Sequence, residues 1–292
     1  MKEVAIISGK GGTGKTTVTA ALAELWKNKI LVDCDVDAAN LHLVLKPKVV
    51  SSTDFYSGYK AVLNTELCSR CGACRRVCRF EAISADFSID DLSCTGCGAC
   101  TLVCPKEAIA LHSNLAGKWF ISETAQGPMV HAELGIAEDN SGKLVAQIRS
   151  VAKELAKEQG CGTILIDGPP GIGCPVISAV SGVDLVLVVT EPTLSGLHDL
   201  GRILTLTQSF GIKSLVCINK YDLNPALTDE ISKVCSAGDS KLIGKIPFSR
   251  SVVQGMVKAH TQDSSLLENL PAELQSKLKD LQAKVAQELA AL

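Results

Sequence analysis

Apolar residues along this chain fall into short unbroken runs separated by stretches with helical periodicity. Val4 to Ser8, Ile30 to Val32, Thr163 to Ile166, Leu185 to Val189, Ser214 to Ile218 and Lys241 to Ile243 read as strands. Runs without polar alternation imply burial on both faces. Between them, Thr16 to Trp26, Lys143 to Glu158, Gly196 to Ser209 and Pro225 to Cys235 read as helices. This alternation predicts an α/β fold with a mostly parallel sheet covered on both sides. Near the end, Leu270, Leu274, Leu278, Leu281, Val285, Leu289 and Leu292 share one helical face, and Pro271 suits that helix's first turn. Glu268, Glu273, Asp280 and Glu288 balance Lys277, Lys279 and Lys284. With no basic face, the helix is expected to pack on the body or on another subunit, not on a membrane surface.

Residues 64 to 112 break this rhythm. Cys68 to Ile83 matches Cys94 to Ile109 at an offset of 26 residues, including shared Cys-Gly-Ala-Cys and Glu-Ala-Ile segments. So small a unit lacks the apolar mass for an ordinary core and needs cross-links. The expected organisation is a discontinuous main domain, residues 1–63 and 113–292, with an inserted domain at 64–112. Residues 113 to 135 are expected to be short extended segments returning the chain to the main domain.

Composition narrows the partners. The 292 residues are 46% hydrophobic with a formal net charge of -2, which offers no bulk charge for nucleic acid or a lipid surface. DNA and membrane are therefore the weaker partners, although a local basic patch is compatible with these totals. The first apolar run leads directly into a glycine loop, so no signal peptide is expected and the cytoplasm is the expected location. Of the 13 cysteines, eight form two C-x2-C-x2-C-x3-C runs. In a leaderless chain that spacing points to thiolate ligands and not to disulfides.

The glycine loop, Gly9-Lys10-Gly11-Gly12-Thr13-Gly14-Lys15-Thr16, matches G-x-x-x-x-G-K-T between a strand and a helix. Glycines let backbone amides turn toward phosphate oxygens, Lys15 reaches the β and γ phosphates, and the Thr16 hydroxyl ligates magnesium. Thr17 is placed near the α phosphate. Asp167 ends a strand ahead of Gly168-Pro169-Pro170-Gly171 and is suited to hold magnesium through water. Asp35 follows the second strand and can orient water or a magnesium-bound water, with Asp33 and Asp37 as competitors for that role.

Lys10 adds a further pattern. Lys10 to Thr16 resembles the Lys-Gly-Gly-x-Gly-Lys-Thr of the deviant Walker A ATPases, a group containing MinD, the ParA proteins, the nitrogenase iron protein and the Mrp/Nbp35 carriers. The resemblance implies a P-loop fold, an ATP-dependent homodimer, and a Lys10 that reaches the partner's phosphates while Lys15 acts in its own subunit. It also implies Asp33-Cys34-Asp35 as switch I and Asp167 to Gly171 as switch II. Asn219-Lys220-Tyr221-Asp222 looks like the guanine-reading N-K-x-D of GTPases. The family points instead to Asn219 bonding adenine beside Pro247 and Phe248, hence to ATP/ADP and Mg2+.

The two cysteine runs resemble the bacterial ferredoxin with two [4Fe-4S] clusters, in which the fourth cysteine of each run serves the other cluster. That implies Cys68, Cys71, Cys74 and Cys104 at one centre, and Cys94, Cys97, Cys100 and Cys78 at the second, within a small α+β insert. Zinc can also take four thiolates. Arg79 replaces the customary proline after Cys78, and Arg75 and Arg76 lie close by. They can stabilise a reduced cluster, dock an acidic electron-transfer partner, or simply face solvent. Cys174 is placed like a bridging-cluster cysteine of the nitrogenase iron protein, yet has no companion, so buried packing is expected. Cys34, Cys161, Cys217 and Cys235 read as core or strand-end residues. His42, His112, His131, His198 and His260 form no metal motif.

The expected function is an ATP-binding and ATP-hydrolysing iron-sulfur protein that couples a nucleotide-dependent dimer to electron transfer with an unidentified redox or iron-sulfur acceptor protein. The alternatives are an ATP-dependent cluster carrier or assembly factor, and a MinD-like positioning protein with structural or redox-sensing clusters.

Overall fold

The computed structural model describes residues 1–136, 138, 141–262 and 264–292. The chain divides into two compact units. The larger holds residues 1–52, 119–133 and 141–292, and the smaller holds 53–118 and 134–140.

Among the described residues nine strands occur in chain order: β1 (Lys2–Ser8), β2 (Lys29–Asp33), β3 (Lys48–Leu63), β4 (Ile109–Thr124), β5 (Gly127–Leu134), β6 (Thr163–Pro170), β7 (Leu185–Thr190), β8 (Lys213–Asn219) and β9 (Lys241–Ile246). They form one sheet of order β3-β4-β5-β2-β6-β1-β7-β8-β9. From β5 to β9 every pairing is parallel. Val4 to Ile7, Ile164 to Ile166, Leu185 to Val189 and Leu215 to Ile218 are buried, as runs covered on both faces must be. This is the α/β P-loop NTPase fold with a mostly parallel sheet.

Among the described residues the larger unit holds α1 (Lys15–Leu25), α2 (Leu41–Leu45), α5 (Ser141–Glu158), α6 (Cys174–Val180), α7 (Leu194–Ser209), α8 (Pro225–Ala237), α9 (Arg250–Gln262) and α10 (Ala272–Ala290). α10 packs its leucines on α1 and β9, with Leu274, Leu278, Leu281, Val285 and Leu289 all buried. Gly244 of β9 makes room, since a Cβ there would stand 2.9 Å from Leu281 Cδ1. The body, not a membrane, therefore receives this face, although Leu292 itself is exposed. Among the described residues no helix is long and apolar enough to cross a membrane.

Residues 113 to 135 differ from expectation. They are not short segments but the rest of a 16-residue strand, β4, followed by the 8-residue β5. Thr124 Oγ1 closes the turn between them by donating to Gly127 O at 2.7 Å.

In the smaller unit, α3 (Ala73–Val77) and α4 (Ala99–Leu102) each follow a glycine in the left-handed region. The sequence duplication is repeated in the backbone. Arg70 and Gly96 have φ of 54° and 69°, Gly72 and Gly98 have 76° and 77°, and Glu81 and Glu107 have 52° and 48°. Ala61, Cys74, Ala82, Ile83, Cys94, Cys100 and Ile109 make its core. Cysteines thus occupy the centre where a larger domain would place leucines. None of the 13 cysteines forms a disulfide.

Candidate functional site

Register brings the catalytic candidates together. β2 and β6 pair Asp33 with Asp167, and β1 runs alongside β6, so both carboxylates stand at the carboxyl edge where the glycine loop leaves β1. Ligands of open parallel sheets collect at that edge. The loop turns through Gly12 and Gly14, at φ 80° and 90°, into α1. Gly14 also permits a close approach, since a Cβ there would stand 2.3 Å from Asn219 Nδ2.

Asp167 is fully buried and triply held. Lys15 Nζ donates to Oδ1 at 3.0 Å, Thr19 Oγ1 to Oδ1 at 2.8 Å, and Thr16 Oγ1 to Oδ2 at 2.9 Å. Lys15 Nζ also lies 3.5 Å from Asp35 Oδ2. Burial alone would lower the Lys15 amine, but Asp167 and then Asp35 lift it above its ordinary value. Burial pushes the Asp35 carboxyl up, and Lys15 only partly offsets this. Asp33 is turned inward, with its carboxylate accepting the backbone N–H groups of Asp35 at 3.2 Å and Leu41 at 3.3 Å. Burial, and after it Asp167, pushes the Asp33 carboxyl up to about 8. Of Asp33, Asp35 and Asp37, Asp35 is the one that lines the loop's cavity.

That cavity, of about 590 Å³, is walled by Gly11 to Thr17, Asp35 and Pro170 on one side and is within the size of small-molecule sites. Leu43, Val44, Met256, Val257 and His260 complete it from α2 and α9. The Thr13 hydroxyl is buried without a partner, an orphan that a phosphate oxygen would satisfy. A second cavity, of about 210 Å³, joins Gly12, Gly14 and Thr17 to Asn219, Pro247 and Phe248, so the expected base-contacting residues do converge. Asn219 Nδ2 donates to Thr13 O at 2.7 Å, fastening the base loop to the phosphate loop. Asp222, the guanine reader in an N-K-x-D, instead accepts the Phe248 N–H at 2.6 Å.

Lys10 points away from Lys15. Its amine stands 2.6 Å from Glu191 Oε1 and bonds the hydroxyls of Thr193 and Ser195 at 3.2 and 3.1 Å. Lys220 Nζ reaches the other Glu191 oxygen at 2.9 Å and Gly12 O at 2.9 Å. Thr19 and Glu191 went unmarked in the sequence reading. Thr19 lies one helical turn past Lys15, a spacing that could have flagged it. Glu191 directly follows β7 at the same sheet edge, the other available signal.

In the smaller unit, one cavity is lined by Cys78, Cys94, Cys97 and Cys100, with Gly96, Gly98, Ile83, Ile89 and Phe80 around them. Burial, and after it the nearby Cys68 and Cys71, pushes the Cys74 thiol up, and burial with Cys94 and Cys97 does the same to Cys100. Backbone amides serve the sulfurs: Arg70 N–H donates to Cys68 Sγ at 3.4 Å and Ala108 N–H to Cys104 Sγ at 3.2 Å. Among the described residues, no three His, Cys, Asp or Glu side chains form a group able to hold a single metal ion. Cys174 departs from expectation. It begins α6 and is exposed, whereas Cys34, Cys217 and Cys235 are buried and Cys161 is half-buried.

Comparisons with known proteins agree with the larger unit. The CbiA family model, described as the CobQ/CobB/MinD/ParA nucleotide binding domain, matches residues 4–260. An uncharacterised protein of Methanocaldococcus jannaschii, MJ0578, is 42% identical over 228 residues, covering 76% of this chain and 79% of its own. The septum site-determining protein MinD of Bacillus subtilis is 29% identical over 211 residues, covering 70% of this chain and 59% of its own. Among solved structures, the Pyrococcus horikoshii MinD complexed with Mg-ADP superposes with a TM-score of 0.59 at 20% identity, covering 98% of this chain and 96% of that one.

Proposed function

Because the chain belongs to the CobQ/CobB/MinD/ParA nucleotide-binding family, we propose that it binds and hydrolyses ATP and couples that cycle to electron transfer through two [4Fe-4S] clusters. The observation that carries this reading is the cavity that gathers Cys78 of the first run with Cys94, Cys97 and Cys100 of the second. Those are the four thiols of one cluster in a two-cluster ferredoxin, fourth ligand crossed. A single metal ion needs its donors to converge on a point, while a four-iron cube meets each thiolate at a different iron. Dispersed thiols with amide donors therefore fit the cube better. Cys68, Cys71, Cys74 and Cys104 make the other set.

When bound, the clusters supply reversible one-electron storage. The chain's own residues do the rest. Ile83, Ile89 and Phe80 give one set of thiols apolar neighbours. The loop amides and Lys15 take the nucleotide phosphates, with Lys15 exchanging part of its hold on Asp167 for them. Thr16 and Asp167, 2.9 Å apart, would hold magnesium, and Asp35 would orient the attacking water. Lys10 leaves Glu191 for the phosphates of a second copy. Asn219, Pro247 and Phe248 receive adenine. Switch I runs through α2 into β3, whose later residues belong to the smaller unit, so nucleotide state and insert share one covalent path.

The test compares ATP affinity and turnover in reduced and oxidised protein of full iron and sulfide content. A difference supports coupling, and identical values count against it. The similarity to MinD favours a second reading, a positioning ATPase with structural clusters. Nucleotide-dependent capture of another protein without electron flow supports that one.

A further inference from the structure

The duplicated insert contains its own control. Each copy has the same cysteine spacing and the same left-handed positions, yet their charges differ. Arg70, Arg75, Arg76 and Arg79 in the first copy correspond to Gly96, Thr101, Leu102 and Pro105 in the second. The scaffold therefore forms without arginine at any of these places. Gly96 answers a steric need, since a Cβ there would stand 2.0 Å from Tyr59 O. Its counterpart Arg70 holds a φ of 54°, a conformation that disfavours a side chain.

All four arginines are exposed. Among the described residues no carboxylate pairs with any of them, although Lys60 and Lys118 of the same unit are paired with Glu138 and Asp54. Arg75 Nε donates to Ile83 O at 3.3 Å and Arg76 Nη1 to Cys71 O at 3.3 Å, which limits how freely both side chains swing. Arg75, Arg76 and Arg79 occupy the stretch that runs from Cys74 to just past Cys78, the segment shared by the two thiol sets. The flanking Leu67 and Phe80 are exposed apolar side chains. Unpaired guanidinium groups beside exposed apolar residues suit a partner that brings carboxylates, which arginine grips in forked pairs.

We propose that Arg70, Arg75, Arg76 and Arg79 form the docking surface for a small acidic electron-carrier protein, which exchanges electrons with the clusters of the insert. The inference rests on the cluster reading above. The proximity of the arginines to both thiol sets gives the carrier a short path. Charge opposition speeds its arrival without requiring a tight complex.

The experiment mixes anaerobic, iron-loaded full-length protein with a reduced acidic [2Fe-2S] ferredoxin in a stopped-flow instrument across a salt series. Iron and sulfide are assayed first. Protein without them overturns the cluster reading and this proposal together, before any arginine is changed. With clusters present, the second-order rate should fall steeply with salt. The variant R75Q/R76Q/R79Q should be slowed about tenfold or more at low salt, with reduction by a small neutral reductant unchanged. Because Arg75 and Arg76 also bond backbone carbonyls, R70Q/R79Q provides a second variant that spares both contacts. Equal rates in that variant and the native chain, or a native rate indifferent to salt, overturn the docking surface alone. So does protection of these arginines by duplex DNA and not by the ferredoxin.

Discussion

Lys10 and Glu191 form a 2.6 Å ion pair within one chain, so the lysine expected to serve a partner is engaged in its own subunit. Glu191 also holds Lys220 beside Asn219, which links the base loop to the same carboxylate. Burial alone would raise the Glu191 carboxyl, but hydrogen bonds from Lys10 and Lys220 hold it below the usual range. The pair is therefore intact above the ordinary glutamate range and is lost as pH falls through the lower native value. Glu191→Gln should ease ATP-driven dimerisation, lowering the half-maximal ATP concentration by up to about fivefold, as a pair worth about 0.2–1 kcal/mol implies. Lys10→Ala should prevent the dimer. Sedimentation with and without ATP measures both, and an unshifted Glu191→Gln midpoint refutes the competition.

Asp33 predicts a pH dependence of the opposite sense. Its folded carboxyl is raised to about 8, so the unfolded chain ionises first. Its contribution to stability falls as pH rises from the ordinary aspartate range toward the native value. Nucleotide-free protein should melt lower at about pH 8 than at about pH 6, and Asp33→Asn should flatten that slope even if it shifts both melts. A variant with the native slope would falsify the assignment.

Crossed ligation can be read from paired variants. Cys78→Ser should halve the iron, from about eight to about four atoms per chain. Adding Cys97→Ser should remove no more, because both thiols serve one centre. Adding Cys71→Ser should remove the remainder. The reverse pattern, with Cys97→Ser removing the remainder and Cys71→Ser removing no more, would show that Cys78 belongs to its own run.

Gly14→Ala places a methyl group on Asn219 in a left-handed backbone. The strain is about 1–3 kcal/mol. Its first casualty is the bond from Asn219 to Thr13 O. Nucleotide binding followed by calorimetry should be lost or weakened at least tenfold, while the apo fold persists. Native affinity in this variant would show that the base loop does not lean on the phosphate loop.

The sheet was legible where both faces are buried. Val4 to Ile7 and Leu185 to Val189 carry unbroken apolar runs because helices cover them. β3 escaped because its early residues, Lys48 to Asp54, are exposed and mix valine with serine and threonine, leaving no period to find. α9 escaped for a similar reason, since Val253 and Val257 face outward and Gly255 interrupts its centre. The phosphate loop and Asp167 were readable because a motif fixes them relative to one strand. Glu191 was not, since its meeting with Lys10 depends on β1 and β7 lying side by side. Cys174 misled because free thiols are usually buried, and this one opens a short helix at the surface.

The cavity that seats Cys78 among the thiols of the second run has a consequence for how the insert can age and evolve. Under the proposed crossed ligation neither repeat could be excised or exchanged alone, because each lends the other a thiol it cannot replace locally. An oxidant that destroys either centre would then strike thiols of both repeats.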